Sequence, residues 1–504
     1  MLQFWPLDTT HLDALFLYNI VYRAFFHPLA KYPGPLLSKF TNLYSAYHAW
    51  KGDIHLDVLR CHQKYGDRVR YAPNRVLINS PEALRDIYGH GAHVRKFDGY
   101  MVLSSQAVNT LTMSDKAQHA RRRRVISQAF SESSLRLFEP TIISRIDRFC
   151  QVIRGHASSE GKWTEPQDMA HGCKYIWILN IVTHLTFDLM TALSFDADYR
   201  TMEEPQFRYV VPAIEESNIR LSVLWQASEL TFGHLDRKLL PRSARAARTF
   251  VKFLRMLLTS RLEQDKTGNR DIFSFLQQCK DPDTNKGLSL KELGTEIATF
   301  VVAGTDTSST TMAALSHYLT GSARCYRRAA AEVRTTFASA DEIRLGPKLN
   351  SCVFLRACMD EALRLAPPGG DPLWRVVEED GAAIGGDFIP GGCEVGAGIY
   401  AMHHSPENWE GPISFTPERW LDKTGPRQPY FPFNIGPRSC VGKPLAIAQV
   451  TLTFARLLWE FDVRRADSVS FPGEGNDTRP TQYVLKDHVT GKKEGPVLCF
   501  RRRL

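Results

Sequence analysis

The 504-residue chain has ten cysteines, at 61, 150, 173, 279, 325, 352, 358, 393, 440 and 499, and no C-x-x-C pair among them. That scatter excludes a clustered zinc site and a disulfide framework, and it points to a reducing compartment. No internal repeat, low-complexity tract or linker-like stretch interrupts the chain, which excludes solenoids and strings of tethered modules. Length alone suggests two or three domains. The apolar N-terminal stretch Ala14-Leu15-Phe16-Leu17-Tyr18-Asn19-Ile20-Val21-Tyr22 is bracketed by Asp13 and Arg23. It falls short of the ~20 residues that span a bilayer. No basic start or small-residue cleavage site marks a signal peptide. The net charge of +9 is mild, and the basic residues are not interleaved with a nucleic-acid motif. Nucleic acid is therefore not the expected partner. An acidic protein or an anionic membrane surface fits better. What the chain has in quantity is hydrophobic residues, 43% of the total, enough for a large core.

The most informative stretch runs from Phe431 to Gly442, Phe-Pro-Phe-Asn-Ile-Gly-Pro-Arg-Ser-Cys-Val-Gly. Gly436, Pro437 and Gly442 keep it from regular structure, so it reads as a loop presenting Cys440. Arg438 places a positive charge two residues before the thiol and favours thiolate. Phe433 supplies an apolar wall. The chain after Gly442 returns to helical composition, so the thiol precedes a helix N-terminus, which also favours an anion. Such a thiolate serves as a nucleophile, a structural-metal ligand or the axial ligand of haem. Zinc would want nearby Cys or His partners, and a nucleophile a base; the loop offers neither. Haem needs one protein thiolate only.

Other stretches carry chemistry of their own. Ser289-Leu290-Lys291-Glu292 is a capping box opening a proline-free helix from Leu290 to about Thr320. Its middle, Ala303-Gly304-Thr305-Asp306-Thr307-Ser308-Ser309-Thr310-Thr311, is poor helix material. Gly304 would let a ligand approach the backbone, and Asp306 with Thr307 forms a candidate proton relay. The alternative is a helix kinked by hydroxyls bonding back to the preceding turn. Asp115 to Val125 is a basic helix with four consecutive arginines, most of them read as a solvated patch; His119 and Arg123, four apart, share a face. Val353 to Leu365 is a helix stopped by Pro367-Pro368 and carrying Glu361 and Arg364 as E-x-x-R. Arg68 to Asn79 reads as two strands around a Pro73-Asn74 turn. Trp374 reads as core. The tail from Phe471 is turn-rich with short strands, ending in Arg501-Arg502-Arg503 as a solvated end.

The pattern Phe433-x-x-Gly436-x-Arg438-x-Cys440-x-Gly442 resembles the haem-binding signature of the cytochrome P450 family. Ala303-Gly304-x-Asp306-Thr307, Glu361-x-x-Arg364 and Pro417-Glu418-Arg419-Trp420 resemble its other motifs, in the family's order. The resemblance implies a mainly α fold, one large helical domain with small β-sheets. Residues 1–35 would be a short membrane-associating segment and proline-rich hinge, and 36–504 the catalytic domain. Cys440 would be the axial ligand of heme b, within a loop shaped by Phe433, Gly436, Arg438 and Gly442. His119, standing where the family usually has tryptophan, would hold a haem propionate with Arg123, and Arg375 would reach one from another segment. Gly304, Asp306 and Thr307 would serve dioxygen activation, and Glu361, Arg364 and Arg419 would hold the haem core together. The residues between Arg95 and Met113, with Tyr100, Met101, Val102 and Leu103, would form a loop over the haem.

The implied activity is a monooxygenase placing one atom of O2 into an apolar small molecule, in fungal secondary-metabolite biosynthesis. The alternatives are an aromatic-acid hydroxylase of a degradative pathway and a haem-binding protein without turnover. Peroxide-rearranging relatives typically lack the acid–threonine pair present here. No flavin or NADPH module follows Cys440, so electrons from NADPH would arrive through a separate NADPH-cytochrome P450 reductase docking on the basic face near Cys440. The expected location is the cytosolic face of the endoplasmic reticulum membrane, with an anchor short enough for peripheral association.

Overall fold

The computed structural model describes residues 9–104, 107–156, 162–168, 181–263, 271–422, 428–466 and 482–503. Its axis is the central helix Leu290–Thr320. The expected capping box starts it: the Ser289 hydroxyl accepts from the Glu292 N–H and the Glu292 carboxylate accepts from the Ser289 N–H at 2.9 Å. At 1.5 Å per residue its 31 residues span about 46 Å.

The helix Ile181–Phe195 packs along it and is buried at every position. Its polar residues are buried too, and Thr186, Asp188 and Thr191 are bonded inside the fold. Thr186 stitches the pair together by donating to the Thr305 carbonyl at 3.0 Å. Helices Val353–Leu365 and Lys443–Glu460 close the other side, and the pair Val210–Gln226 and Pro241–Glu263 lies beyond. One hydrophobic core runs through most of these helices.

A five-stranded sheet stands to one side, ordered Arg68–Ala72, Arg75–Ile78, Glu394–Gly396, Arg375–Val377, Val94–Lys96. Its first two strands are antiparallel around Pro73-Asn74, with Arg68 opposite Ile78, as expected. The proline-rich segment after His27 docks on this sheet's core through buried Leu29 and Tyr32. Before it, the helix Thr9–Val21 runs into a wide turn, Tyr22–Phe26, fixed by the Arg70 guanidinium donating to the Arg23 carbonyl at 2.7 Å. Among the described residues, no helix is long and apolar enough to cross a membrane.

Near the C-terminus, residues 467–481 lie outside the described residues, and with them the beginning of the turn-rich tail. Beyond them, Leu485–His488 and Thr490–Lys493 form a hairpin turning on Val489. Val497–Arg502 pairs with Phe461–Arg465. The Arg501-Arg502-Arg503 end is solvated at Arg502 and Arg503, as expected, although Arg501 and Arg502 are strand residues and Arg501 pairs with Asp462 at 2.9 Å. The ladder partners of that strand hold them in place.

Glu361 and Arg364 are both fully buried. Arg364 donates to both carboxylate oxygens, at 2.8 and 3.0 Å, and to the carbonyls of His403, Pro412 and Ser414. Glu361 also accepts from Arg419 at 3.2 Å, the Trp420 indole at 2.9 Å and the Thr416 N–H at 3.1 Å. This network ties the helix Val353–Leu365 to the segment leading into the cysteine loop. Glu361→Ala strands the Arg364 guanidinium in a dry site, so an expected loss of about 3–5 kcal/mol appears as a lowered Tm or loss of soluble protein. Arg324→Ala, at the half-exposed pair with Glu418, shifts the same unfolding curve by less than about 1 kcal/mol.

Candidate active site

The cysteine loop is shaped by two left-handed residues. Asn434, at φ 56°, has its side-chain oxygen accepting the Ile435 N–H at 2.8 Å. Gly436, at φ 68°, lies so close to the Tyr88 carbonyl that a Cβ would stand 2.0 Å from that oxygen. The Cys440 N–H donates to the Phe433 carbonyl at 2.8 Å and closes the loop. Gly442 then caps the helix Lys443–Glu460, with Pro444 in its first turn, where proline is tolerated.

Cys440 is exposed by surface area, but it faces a cavity of about 380 Å³. Protein atoms surround the thiol, and burial raises its pKa. The N–H groups of Gly442 and Lys443 and the charges of Arg123 and Lys443 oppose that rise. Arg438 is not the nearby cation that the sequence suggested. Its guanidinium is drawn away to the carbonyls of Met113 at 2.6 Å and Ser114 at 3.0 Å; Arg123, which donates to the Ser439 carbonyl at 2.6 Å, takes that place.

Five basic side chains line the same cavity: Lys96, His119, Arg123, Arg375 and Arg438. Among the described residues, none of Lys96, Arg123, Arg375 and Arg438 pairs with a carboxylate; each donates to backbone carbonyls instead. The closest strong charges are one another. His119 falls to about 3 through burial and then Arg438, Lys96, Arg123 and Arg375. Burial, with Arg375 and Arg438, pushes Lys96 well below the usual lysine range. Burial, with Arg375, lowers Arg438 to about 10. Such a rim is costly until an anion arrives. Heme b fits it: its two propionates would meet the rim and its iron the thiol, with apolar walls between. Sequence reasoning missed Lys96. The signal was the strand Val94–Lys96, whose alternation puts Lys96 on the buried face with Val94.

The middle of the central helix lines the same cavity, through Ala303, Gly304, Thr307 and Ser308. The back-bonding alternative is present as well: Thr307 donates to the Ala303 carbonyl at 2.6 Å and Thr311 to that of Thr307 at 2.9 Å. The close approach to Gly304 is made by Met190, whose sulfur would lie 2.5 Å from an added Cβ. Asp306 turns away from the cavity. It accepts from Asn218 at 2.9 Å and Thr490 at 2.8 Å and lies 3.7 Å from the Lys493 ammonium, which also meets Glu215 at 3.4 Å. Burial raises the Asp306 pKa and Lys493 lowers it. Thr490, unnoticed in the sequence, both bonds Asp306 and lines the cavity.

The four arginines of the basic helix, Lys116–Ser127, are not a solvated patch. Arg122 is buried and paired with Glu292 and Glu296, and Arg124 pairs with Asp281 at 3.0 Å and Asp283 at 2.8 Å. Trp374 is fully buried, as expected. The basic helix, the sheet and the cysteine loop thus bring His119, Arg123, Arg375, Phe433, Arg438, Cys440 and Gly442 to one cavity, while Gly436 packs under the loop and Glu361, Arg364 and Arg419 stay in their own network.

The family model described as Cytochrome P450 matches residues 32–482. Among curated proteins, the chain is 47% identical to "Cytochrome P450 monooxygenase poxM" of Penicillium oxalicum, over 97% of this chain and 93% of that one. It is 41% identical to "Cytochrome P450 monooxygenase atnE" of Emericella nidulans, over 96% and 94%. It is 60% identical to "Cytochrome P450 monooxygenase lcsN" of Purpureocillium lilacinum, over 64% of this chain and 98% of that protein.

A Cβ at position 436 meets both a positive φ and the Tyr88 carbonyl. Gly436→Ala therefore displaces the loop that presents Cys440. The expected outcome is a large fall in haem bound per chain, read from the ratio of Soret to protein absorbance.

Proposed function

Because the chain belongs to the cytochrome P450 family and is a haem-thiolate monooxygenase, we propose that it oxidises a neutral, apolar small molecule in fungal secondary-metabolite biosynthesis. The observation that carries this reading is one cavity lined at once by Cys440, by Ala303, Gly304 and Thr307 of the central helix, and by the basic side chains Lys96, His119, Arg123, Arg375 and Arg438. The bound haem supplies activation of O2, one atom going to the substrate and the other to water. Cys440 would ligate the iron, and Lys96, His119, Arg123, Arg375 and Arg438 would hold the propionates. Leu103, Leu111, Phe300, Leu373 and Val489 line the apolar remainder, where they orient substrate and exclude water. Thr307 holds a hydroxyl proton at the cavity, and Asp306 replenishes it through rotation of its carboxyl or through Thr490. An aromatic-acid substrate fits less well. Outside the cationic rim, the charged lining residue is Glu296.

Electrons come from NADPH through a separate reductase. It docks on the thiol side, where Lys443 is exposed; Arg122 and Arg124 are engaged internally. The protein lies on the cytosolic face of the endoplasmic reticulum membrane. Supporting that placement, Phe16, Tyr18, Phe25, Phe26 and Phe232 are exposed, and Asn42 donates to Glu229 at 3.1 Å between the two apolar regions.

The first test is the carbon monoxide difference spectrum of the dithionite-reduced protein. Wild type is expected to show the strongly red-shifted Soret band of thiolate-ligated haem, and Cys440→Ala to lose it. A band of the histidine-ligated kind in wild type sinks the assignment. Thr307→Ala is expected to keep that band while NADPH consumption uncouples from product. Unchanged coupling removes Thr307 from the relay.

A further inference from the structure

The central helix turns one face to the cavity. Glu296, Thr299, Phe300, Ala303, Gly304 and Thr307 all line it, at the three- and four-residue spacing of a helical stripe. Ala303, Gly304 and Thr307 belong to the segment already given to dioxygen. Glu296 lies two turns before Ala303, about 10 Å along the axis. It is 1% exposed, and it shares the lining with Leu103, Leu111 and Phe300. Burial raises its pKa, against the pull of Thr110 and Arg122. A carboxyl is a costly group to bury beside such residues.

Tethering explains half of it. Glu296 Oε1 accepts the Thr110 N–H at 2.6 Å, the Thr110 hydroxyl at 2.8 Å and the Arg122 guanidinium at 3.3 Å. These bonds fasten the turn Asn109–Met113 to the helix. All three fall on the same oxygen, and among the described residues none reaches Oε2. Arg122 has other partners in Glu292 and the Val108 carbonyl. A glutamine would tether the turn as well, with no charge to bury.

The hydroxyl protons around Glu296 are already spent. Thr110 gives its own to Glu296. Thr299 donates to the Thr295 carbonyl at 2.9 Å and accepts from the Asn109 amide at 2.8 Å. What these residues still offer a ligand is lone pairs, on Glu296 Oε2 and on the two threonine oxygens. In a mostly apolar cavity, a few placed polar groups fix a ligand's orientation. An acceptor-only group selects a donor. A full cation is disfavoured there: Arg122 already contacts Glu296, and Lys96 donates to the carbonyl of Leu111, the residue after Thr110.

We propose that Glu296, with Thr110 and Thr299, anchors a neutral hydrogen-bond donor of the substrate, a hydroxyl or an amide N–H, at the end remote from the carbon that is oxidised. The inference rests on the monooxygenase reading and narrows its substrate class to apolar molecules carrying such a donor. Glu296 determines specificity here and takes no part in oxygen chemistry. Two helical turns between the anchor and Ala303 act as a ruler, so the position of the donor selects which carbon is attacked.

The experiment titrates the haem-loaded protein with imidazoles whose N-alkyl tails end in a hydroxyl, a methyl ether or an ammonium, over a series of tail lengths. The imidazole ligates the iron and the Soret shift reports the Kd. The titrations are run at about pH 8, above the carboxylate range. In wild type the hydroxyl is expected to bind about tenfold tighter than the ether, as for a hydrogen bond to a charged acceptor. That advantage is expected at one or two adjacent lengths only, and the ammonium is expected to bind no tighter than the ether. Glu296→Gln keeps an oxygen for Thr110 and Arg122 but puts an NH2 donor in place of Oε2. It is expected to bind hydroxyl and ether alike. If that variant fails to load haem, Glu296→Asp, whose carboxylate is drawn back towards the helix, is expected to move the best hydroxyl tail to a longer one.

Equal affinities for hydroxyl and ether at every length in wild type overturn the proposal. So does a tighter ammonium, or a hydroxyl advantage that survives unchanged in Glu296→Gln. In each of these the Soret shifts themselves remain, and the monooxygenase reading stands. Absence of any shift, with no red-shifted carbon monoxide band, overturns both.

Discussion

Like charges buried around a single cavity are the constraint on which this molecule turns. Lys96, Arg123, Arg375 and Arg438 come from four separate parts of the chain, and each is tethered by carbonyl oxygens that neutralise nothing. Self-repulsion of that kind persists in a folded protein only where a ligand brings the missing charge. The loop around Cys440 repeats the theme with the opposite sign. Helix N–H groups and Arg123 converge on a thiol that burial disfavours as thiolate. Cation rim and thiol are each incomplete alone, and one anionic metal-bearing ligand completes both.

Holding such a site open against its own repulsion falls to the neutralised interior behind it. Glu361 gathers two arginines, an indole and a backbone N–H, and Arg364 spends its remaining donors on three carbonyls. Each donor nitrogen of Arg364 has its acceptor, which is the condition under which buried ions rigidify a structure. The central helix takes the complementary approach. Its hydroxyls bond the preceding turn, its Gly304 admits Met190, and its acid is retained by the hairpin.

Much of this was legible in the sequence. The ends of the central helix and of Val353–Leu365 follow from a capping box and from a pair of prolines, both of which are local signals. The residues of the thiol loop were legible because glycine, proline and cysteine leave few alternatives at that spacing. What escaped was direction. Spacing placed Arg438 near Cys440 but could not say that Met113 and Ser114 would claim its guanidinium. Four arginines in a row looked like a solvated face, and two of them found acids from distant segments. Lys96 and Thr490 were invisible as site residues because their importance comes from the segments that fold against them. Asp306 stood out beside Thr307 in the sequence, but its side-chain heading is set by Asn218, Thr490 and Lys493.

The single-residue turn at Val489 has a consequence for how this protein can change. A glycine or asparagine would hold φ 71° with less strain than valine, yet neither would present the same methyl groups to the cavity. Local comfort and cavity shape therefore pull against each other at one position. Lineages diverging toward new substrates have a ready site for substitution here, because loosening the turn recovers some of the stability that a reshaped wall gives up.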